Sequence, residues 1–147
     1  MAQPTILSPS EVRLFISDYP EDNHLLDAEE FSDPFIILCT SLAVDEFNAI
    51  SPKTTFNSAN FPSKSLLMTG TLWQIYAGSM AKMARNHLSY SDGGIQIPIE
   101  EKYEMYKNLA DTYGAQFQTT GLRLKTSLNM EDGWGQVSSD EALFPIW

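Results

Sequence analysis

One stripe decides most of what this chain can become. Ile99, Tyr103, Tyr106, Ala110, Tyr113 and Phe117 recur at spacings of 4-3-4-3-4. That spacing keeps all six on one side of a helix, whereas the two-residue period of a strand would scatter them over both faces. Glu101, Lys102, Glu104, Lys107, Asn108 and Asp111 occupy the other side. A helix with one apolar face must lie on other elements. The stripe points on toward Leu124 or Leu128, past weak points at Gly114 and Gly121.

The elements it would lie on are also helical. Ser8-Pro9-Ser10-Glu11 is a helix start: Ser8 caps, Pro9 suits the first helical position, and Glu11 completes a capping box. Val12, Phe15 and Ile16 form its apolar stripe, and it should end near Asp18, ahead of Pro20. Ser32-Asp33-Pro34 is a second start, after which Phe35, Leu38, Cys39, Leu42, Ala43 and Phe47 describe a broad buried face. That helix should stop at 48–51, before Pro52. A longer helix is expected from about Pro62 to about Leu88, with Leu66, Leu67, Trp73, Tyr76, Ala77, Met80, Ala84 and Leu88 along one side. Gly70 and Gly78 each cost roughly 1 kcal/mol relative to Ala inside it, which implies a close packing contact or a breakable helix.

Between these elements the chain is irregular. Met1 to Leu7 has no period and is expected to be a mobile arm. Residues 21–31 form an acidic loop whose Leu25, Leu26 and Phe31 should fold back onto the core, and 52–61 is a polar connection. Ser91-Asp92-Gly93-Gly94 signals a turn. Ile95-Gln96-Ile97-Pro98 is a short extended piece, half of a hairpin or an edge strand. The expected class is all-α: a small bundle of about four helices with one β-like loop and an extended C-terminal tail.

Charge narrows the function. The net charge is -10, and residues 1–60 carry ten acids against two bases. A chain this acidic is a poor sequence-specific binder of DNA or RNA, although its surface would let DNA slide past. A solvated acidic face that keeps the protein soluble explains the same distribution. No apolar run is long enough to span a bilayer, and no secretion signal opens the sequence, so a soluble protein made in a cytoplasm is expected.

The search for catalytic chemistry returns little. The lone Cys39 sits among apolar residues and reads as a small buried hydrophobe. His24 and His87 lie in no zinc spacing. A cation near His24, Asp22, Asp27, Glu29 and Glu30 is conceivable, but the spacing is not that of a calcium loop. His87 suits the C-terminal end of its helix, and Glu100, Glu101 and Glu104 suit the start of theirs. Gly93-Gly94 and Gly133-x-Gly135 are not phosphate loops. No enzyme, cofactor or metal is expected.

The last seventeen residues, 131–147, are set apart as a docking tail from a helical domain over 1–130. They show no period of their own, yet carry Trp134, Leu143, Phe144, Ile146 and Trp147. Free apolar surface has no reason to stay in water, so the tail should lie either on its own core or on a neighbour.

The order of elements adds a resemblance. A short helix with Ser10-Glu11-Val12-Arg13-Leu14-Phe15 precedes an acidic linker ending Glu30-Phe31-Ser32-Asp33. A helix ending Leu42-Ala43-Val44-Asp45-Glu46-Phe47-Asn48, with Pro52 nearby, comes next. A long central helix and the helix of Tyr103, Tyr106, Ala110 and Tyr113 complete the order. This arrangement, over most of residues 8–128, resembles the adaptor proteins of tailed-phage head-to-tail connectors. The resemblance implies a structural homo-oligomer in the virion neck, a ring usually of about twelve copies that joins the portal to the next neck or tail protein. DNA would pass through its channel without sequence-specific binding, and no catalytic residue is carried over. It also implies a partner interface at Trp134, Leu143, Phe144, Pro145, Ile146 and Trp147, with Asp92, Gly93, Gly94, Ile95 and Ile97 as a second contact. Two alternatives stay open: a tail-completion or terminator ring protein, and a small helical regulatory binding module.

Overall fold

The computed structural model describes residues 6–23, 28–85, 91–92, 95–96 and 99–134. Four helices appear among them: α1 (Pro9–Ile16), α2 (Asp33–Ala49), α3 (Lys64–Arg85) and α4 (Ile99–Trp134). The fold is the expected small all-α bundle. β1 (Ser91–Asp92) pairs antiparallel with β2 (Ile95–Gln96), the hairpin that the turn signal announced.

Helices α2, α3 and α4 run up, down and up. Phe35 of α2 faces Gly78 of α3, and Ala43 faces Gly70. Along α4 the order reverses relative to α3, with Tyr76 beside Tyr106 at 5.3 Å between ring centroids and Trp73 beside Phe117 at 5.8 Å. The three helices meet most closely at Gly70. A Cβ built there would lie 2.5 Å from Phe117 and 2.9 Å from the Cβ of Ala43, so only glycine fits. Gly78 serves the same end, with Phe35 only 3.0 Å from where a Cβ would stand. The helix-propensity cost of both glycines is thus the cost of close helix approach.

α1 forms as its sequence dictates. Ser8 caps it, Glu11 closes the capping box, Pro9 opens it, and Ser17 ends it in the left-handed region at φ 53°. Its burial departs from expectation. Phe15 is 61% exposed, and the inward residues are Val12 and Arg13. An eight-residue helix lying on the bundle's flank can bury only a narrow strip. The segment before it is no free arm in its last two residues: Leu7 is buried, and the Ile6 amide donates to Ser58 O at 2.9 Å.

α2 also turns differently from the predicted stripe. Ile36, Cys39, Thr40, Ala43, Val44 and Phe47 are buried, whereas Leu38 and Leu42 are 54% and 41% exposed. Apolar residues fall almost all round this helix, so periodicity alone could not fix which side faces in. Threonine resolves part of it: Thr40 donates to Ile36 O and Thr71 to Leu67 O, and both hydroxyls sit buried at the α2–α3 contact. In α3 the inward face is Leu66, Leu67, Gly70, Thr71, Leu72, Ile75 and Ser79. Trp73, Tyr76, Ala77 and Met80 are half-buried, and Ala84 is exposed. α3 is described to Arg85, so Leu88 lies outside the described residues.

α4 is longer than expected at 36 residues, about 54 Å. It passes both weak points because neighbours fill them: Trp73 lies against Gly114, and Phe47 and Ile50 against Gly121. Ala110 and Phe117 are buried, Tyr106 and Tyr113 half-buried, and Tyr103 stays at the surface, 36% exposed. The helix also absorbs residues 131–134, so the boundary after residue 130 falls inside its last turn. The remaining tail, 135–147, lies outside the described residues.

Candidate functional site

Two buried cations organise the molecule, and neither was singled out from sequence as a buried charge. Arg13 is 4% exposed and meets three carboxylates: Asp18 at 3.1 Å, Glu29 at 3.1 Å and Asp33 at 2.6 Å. Burial disfavours its charge, but Asp33, Glu29 and Asp18 outweigh that and raise its pKa. Asp18, 3% exposed, also accepts from the amides of Glu30 (2.7 Å) and Phe31 (3.0 Å) and from Asn23 Nδ2 (2.7 Å). Glu30 in turn accepts from Lys102 Nζ and from the Tyr106 hydroxyl, both at 2.8 Å. Burial first, then this bond, pushes the Tyr106 pKa strongly up. Of the acids in the 18–33 segment that read as a solvated face or a cation loop, Asp18, Glu29, Glu30 and Asp33 therefore hold α1, α2 and α4 together. Among the described residues no group of three or more His, Cys, Asp or Glu could hold a metal. His24 and Asp27, like His87, lie outside them.

The second buried cation is Lys125, 1% exposed. Its ammonium donates to Ile50 O at 2.5 Å, Pro52 O at 2.9 Å and Asn48 O at 3.3 Å, and lies 4.8 Å from the centre of the Phe47 ring. These carbonyls belong to the end of α2 and the turn after it, where intrahelical donors run out; Asn48 O also accepts from the Thr54 amide at 3.3 Å. Lys125 is a C-terminal cap provided by a different helix. Burial lowers its pKa. The only sequence hint was its register, eight residues beyond Phe117 on the buried side of α4.

Cys39 is buried, and burial pushes its thiol up to about 11, so it is an unreactive core residue. Glu11 is held down at about 2 by its bond to Lys64, then by the Ser8 amide. These groups serve structure.

The described surface has two further features. First, α1 and α2, which pack together, leave Leu14, Phe15, Ile37, Leu38 and Leu42 between 41% and 69% exposed. Second, a cavity of about 750 Å³ opens between residues 28–32, the start of α2, the last turns of α3 and the first turn of α4. Of the expected interface residues, Asp92 and Ile95 stand in the hairpin and Trp134 ends α4. Gly93, Gly94, Ile97, Leu143, Phe144, Pro145, Ile146 and Trp147 lie outside the described residues. No helix of the described residues is long and apolar enough to cross a membrane. No protein-family model, no curated protein and no solved structure matches this chain significantly.

Proposed function

We propose that this chain is an assembly subunit: a structural protein of a tailed-phage neck that forms an adaptor ring between portal and tail and extends the DNA channel. The observation that carries the assembly part is the apolar surface of α1 and α2. Five large side chains, Leu14, Phe15, Ile37, Leu38 and Leu42, stand in water on two neighbouring helices. Large apolar side chains left in water on two helices that touch favour a surface that another protein covers. The helical order adds the neck reading, through the resemblance to connector adaptors. The acidic composition agrees with a channel past which DNA must slide.

The test is particle size and shape. The full chain is purified, sized alone and with a portal protein from the same phage, and any large species is imaged. Closed rings are expected, alone or on the portal. Replacing Leu38 and Leu42 together with Asp should leave helix content intact and abolish ring formation. A monomer that joins no portal ring under either condition overturns the neck reading. The cavity beside α3 favours one other reading, a small helical binding module. That reading expects a monomer or dimer that takes a small ligand.

A further inference from the structure

We infer that the cavity between residues 28–32 and the neighbouring ends of α2, α3 and α4 binds a small amphipathic anion: an acidic head, carboxylate or phosphate, on an apolar body. The inference is independent of the ring reading. The cavity measures about 750 Å³. Sites for small organic molecules span roughly 300–1,000 Å³. Its walls divide by chemistry. Phe31, Phe35 and Met83 are apolar, and the Phe31 and Phe35 rings stack at 6.1 Å between centroids, with 24° between their planes. Lys82 and Arg85 of α3 and Lys102 of α4 supply positive charge.

Charge pairing decides the sign of the ligand. Glu29 binds Arg13, and Glu30 binds Lys102 and the Tyr106 hydroxyl, so both acids of the lining are answered within the protein. Among the described residues no carboxylate pairs with Lys82 or Arg85. Both lie in the last turn of α3, where a cation also suits the carbonyl end of the helix. That role accounts for the charges but not for the apolar wall beside them. A neutral ligand would leave the two cations unused, and a bare inorganic anion would leave the stacked rings in water. A molecule with a negative head and an apolar body answers both.

The local geometry suits one head group. Lys82 and Arg85 are neighbours one turn apart on α3, so both can reach the same acid, Arg85 through paired N–H donors and Lys82 as a point charge. The first turns of α2 and α4 lie at the same end, and the start of a helix favours a negative group. Ser32, in the lining, makes no side-chain capping bond to α2. The wall at residues 28–32 is already fixed, because Asp18 holds the amides of Glu30 and Phe31. A preformed wall lowers the ordering cost of binding.

The experiment titrates the full chain, by isothermal calorimetry, with 2-naphthoate, 2-naphthyl phosphate and the neutral 2-naphthalenemethanol. At least one anion should bind saturably and at least about tenfold more tightly than the alcohol. The tighter of the two anions names the head group. Lys82→Glu together with Arg85→Glu should weaken its binding at least about tenfold, with circular dichroism unchanged. Methyl NMR of labelled methionines locates the ligand. The Met83 signal, assigned with Met83→Leu, should shift, and that of Met130, near the far end of α4, should stay. No saturable binding, equal binding of the alcohol, indifference to the two charge reversals or an unmoved Met83 signal overturns the site. Rings that form from a chain that binds neither anion refute the site and leave the ring reading standing. Charge-sensitive binding at Met83 by a chain that never forms rings, alone or with a portal, refutes the ring reading and leaves the site.

Discussion

Replacing Lys125 with Met removes one ammonium while keeping most of the side chain's apolar length. Three carbonyls, of Asn48, Ile50 and Pro52, then lose their shared donor. Hydrogen bonds from a charged donor contribute about 1.5–3 kcal/mol each, so the three together favour the fold by roughly 4–9 kcal/mol. Burying the ammonium costs several kcal/mol in the opposite direction. The net expected loss is about 3 kcal/mol. For a domain of this length that lowers the melting temperature by roughly 6–12 °C. Urea unfolding followed by circular dichroism is the assay. The midpoint should fall while the slope stays constant, because the surface exposed on unfolding is unchanged. A variant as stable as the parent, or more stable, would refute the reasoning. It would mean that the burial cost cancels the three bonds and that α2 needs no cap from α4.

Gly70→Ala should destabilise by about 1–3 kcal/mol despite alanine's better helix propensity, because its Cβ would stand 2.5 Å from the Phe117 ring. Equal or higher stability in a thermal melt would show that α3 and α4 can separate there freely. Asp18→Asn keeps the shape but leaves Arg13 short of one buried carboxylate, and should cost about 3 kcal/mol or more. An unchanged urea midpoint would contradict that. Glu11 should titrate by carboxyl NMR near 2 instead of 4.5. Because its folded pKa is depressed, its stabilisation is complete above about 4.5 and is lost as pH falls toward 2. Lys64→Met should move the midpoint back up, and a midpoint that stays put would remove Lys64 as the main cause. Cys39, with its thiol near 11, should react with a thiol reagent at pH 8 far more slowly in the native protein than in urea. Equal rates would place it at the surface.

The elements were legible in the sequence where the signal was local. The capping box at Ser8 and Glu11, the helix after Ser32 and the stripe beginning at Ile99 depend on residues within a few positions of one another. Rotation about each helix axis was less legible. α2 has apolar residues on nearly every side, so Leu38 and Leu42 read as core until α3 and α4 determine which side is covered. The length of α4 was missed in part because glycine is a weak helix former. Trp73 at Gly114 and Phe47 at Gly121 are tertiary contacts that no window reveals. The buried charges were missed for the same reason. Arg13 meets Asp33 twenty residues away, and Lys125 meets Ile50 seventy-five away. Charge counts had assigned those acids to water. The cavity became visible only when α3 and α4 were placed beside residues 28–32.

The Asp18 carboxylate has a consequence for how the molecule opens. It holds Arg13 of α1, the side chain of Asn23 and the amides of Glu30 and Phe31 at once. α1 itself buries only Val12 and Arg13. The helix and the segment that follows it are therefore tied together mainly by the Arg13 and Asp18 charges, while α2, α3 and α4 supply most of the core that Val12 and Phe31 join. In hydrogen exchange, α1 and the amides of Glu30 and Phe31 should lose protection together, at a lower free energy than the three-helix core, as one cooperative unit. The first turn of α2 would then lose Arg13 as the partner of Asp33, and the wall of the cavity at residues 28–32 would loosen in the same event.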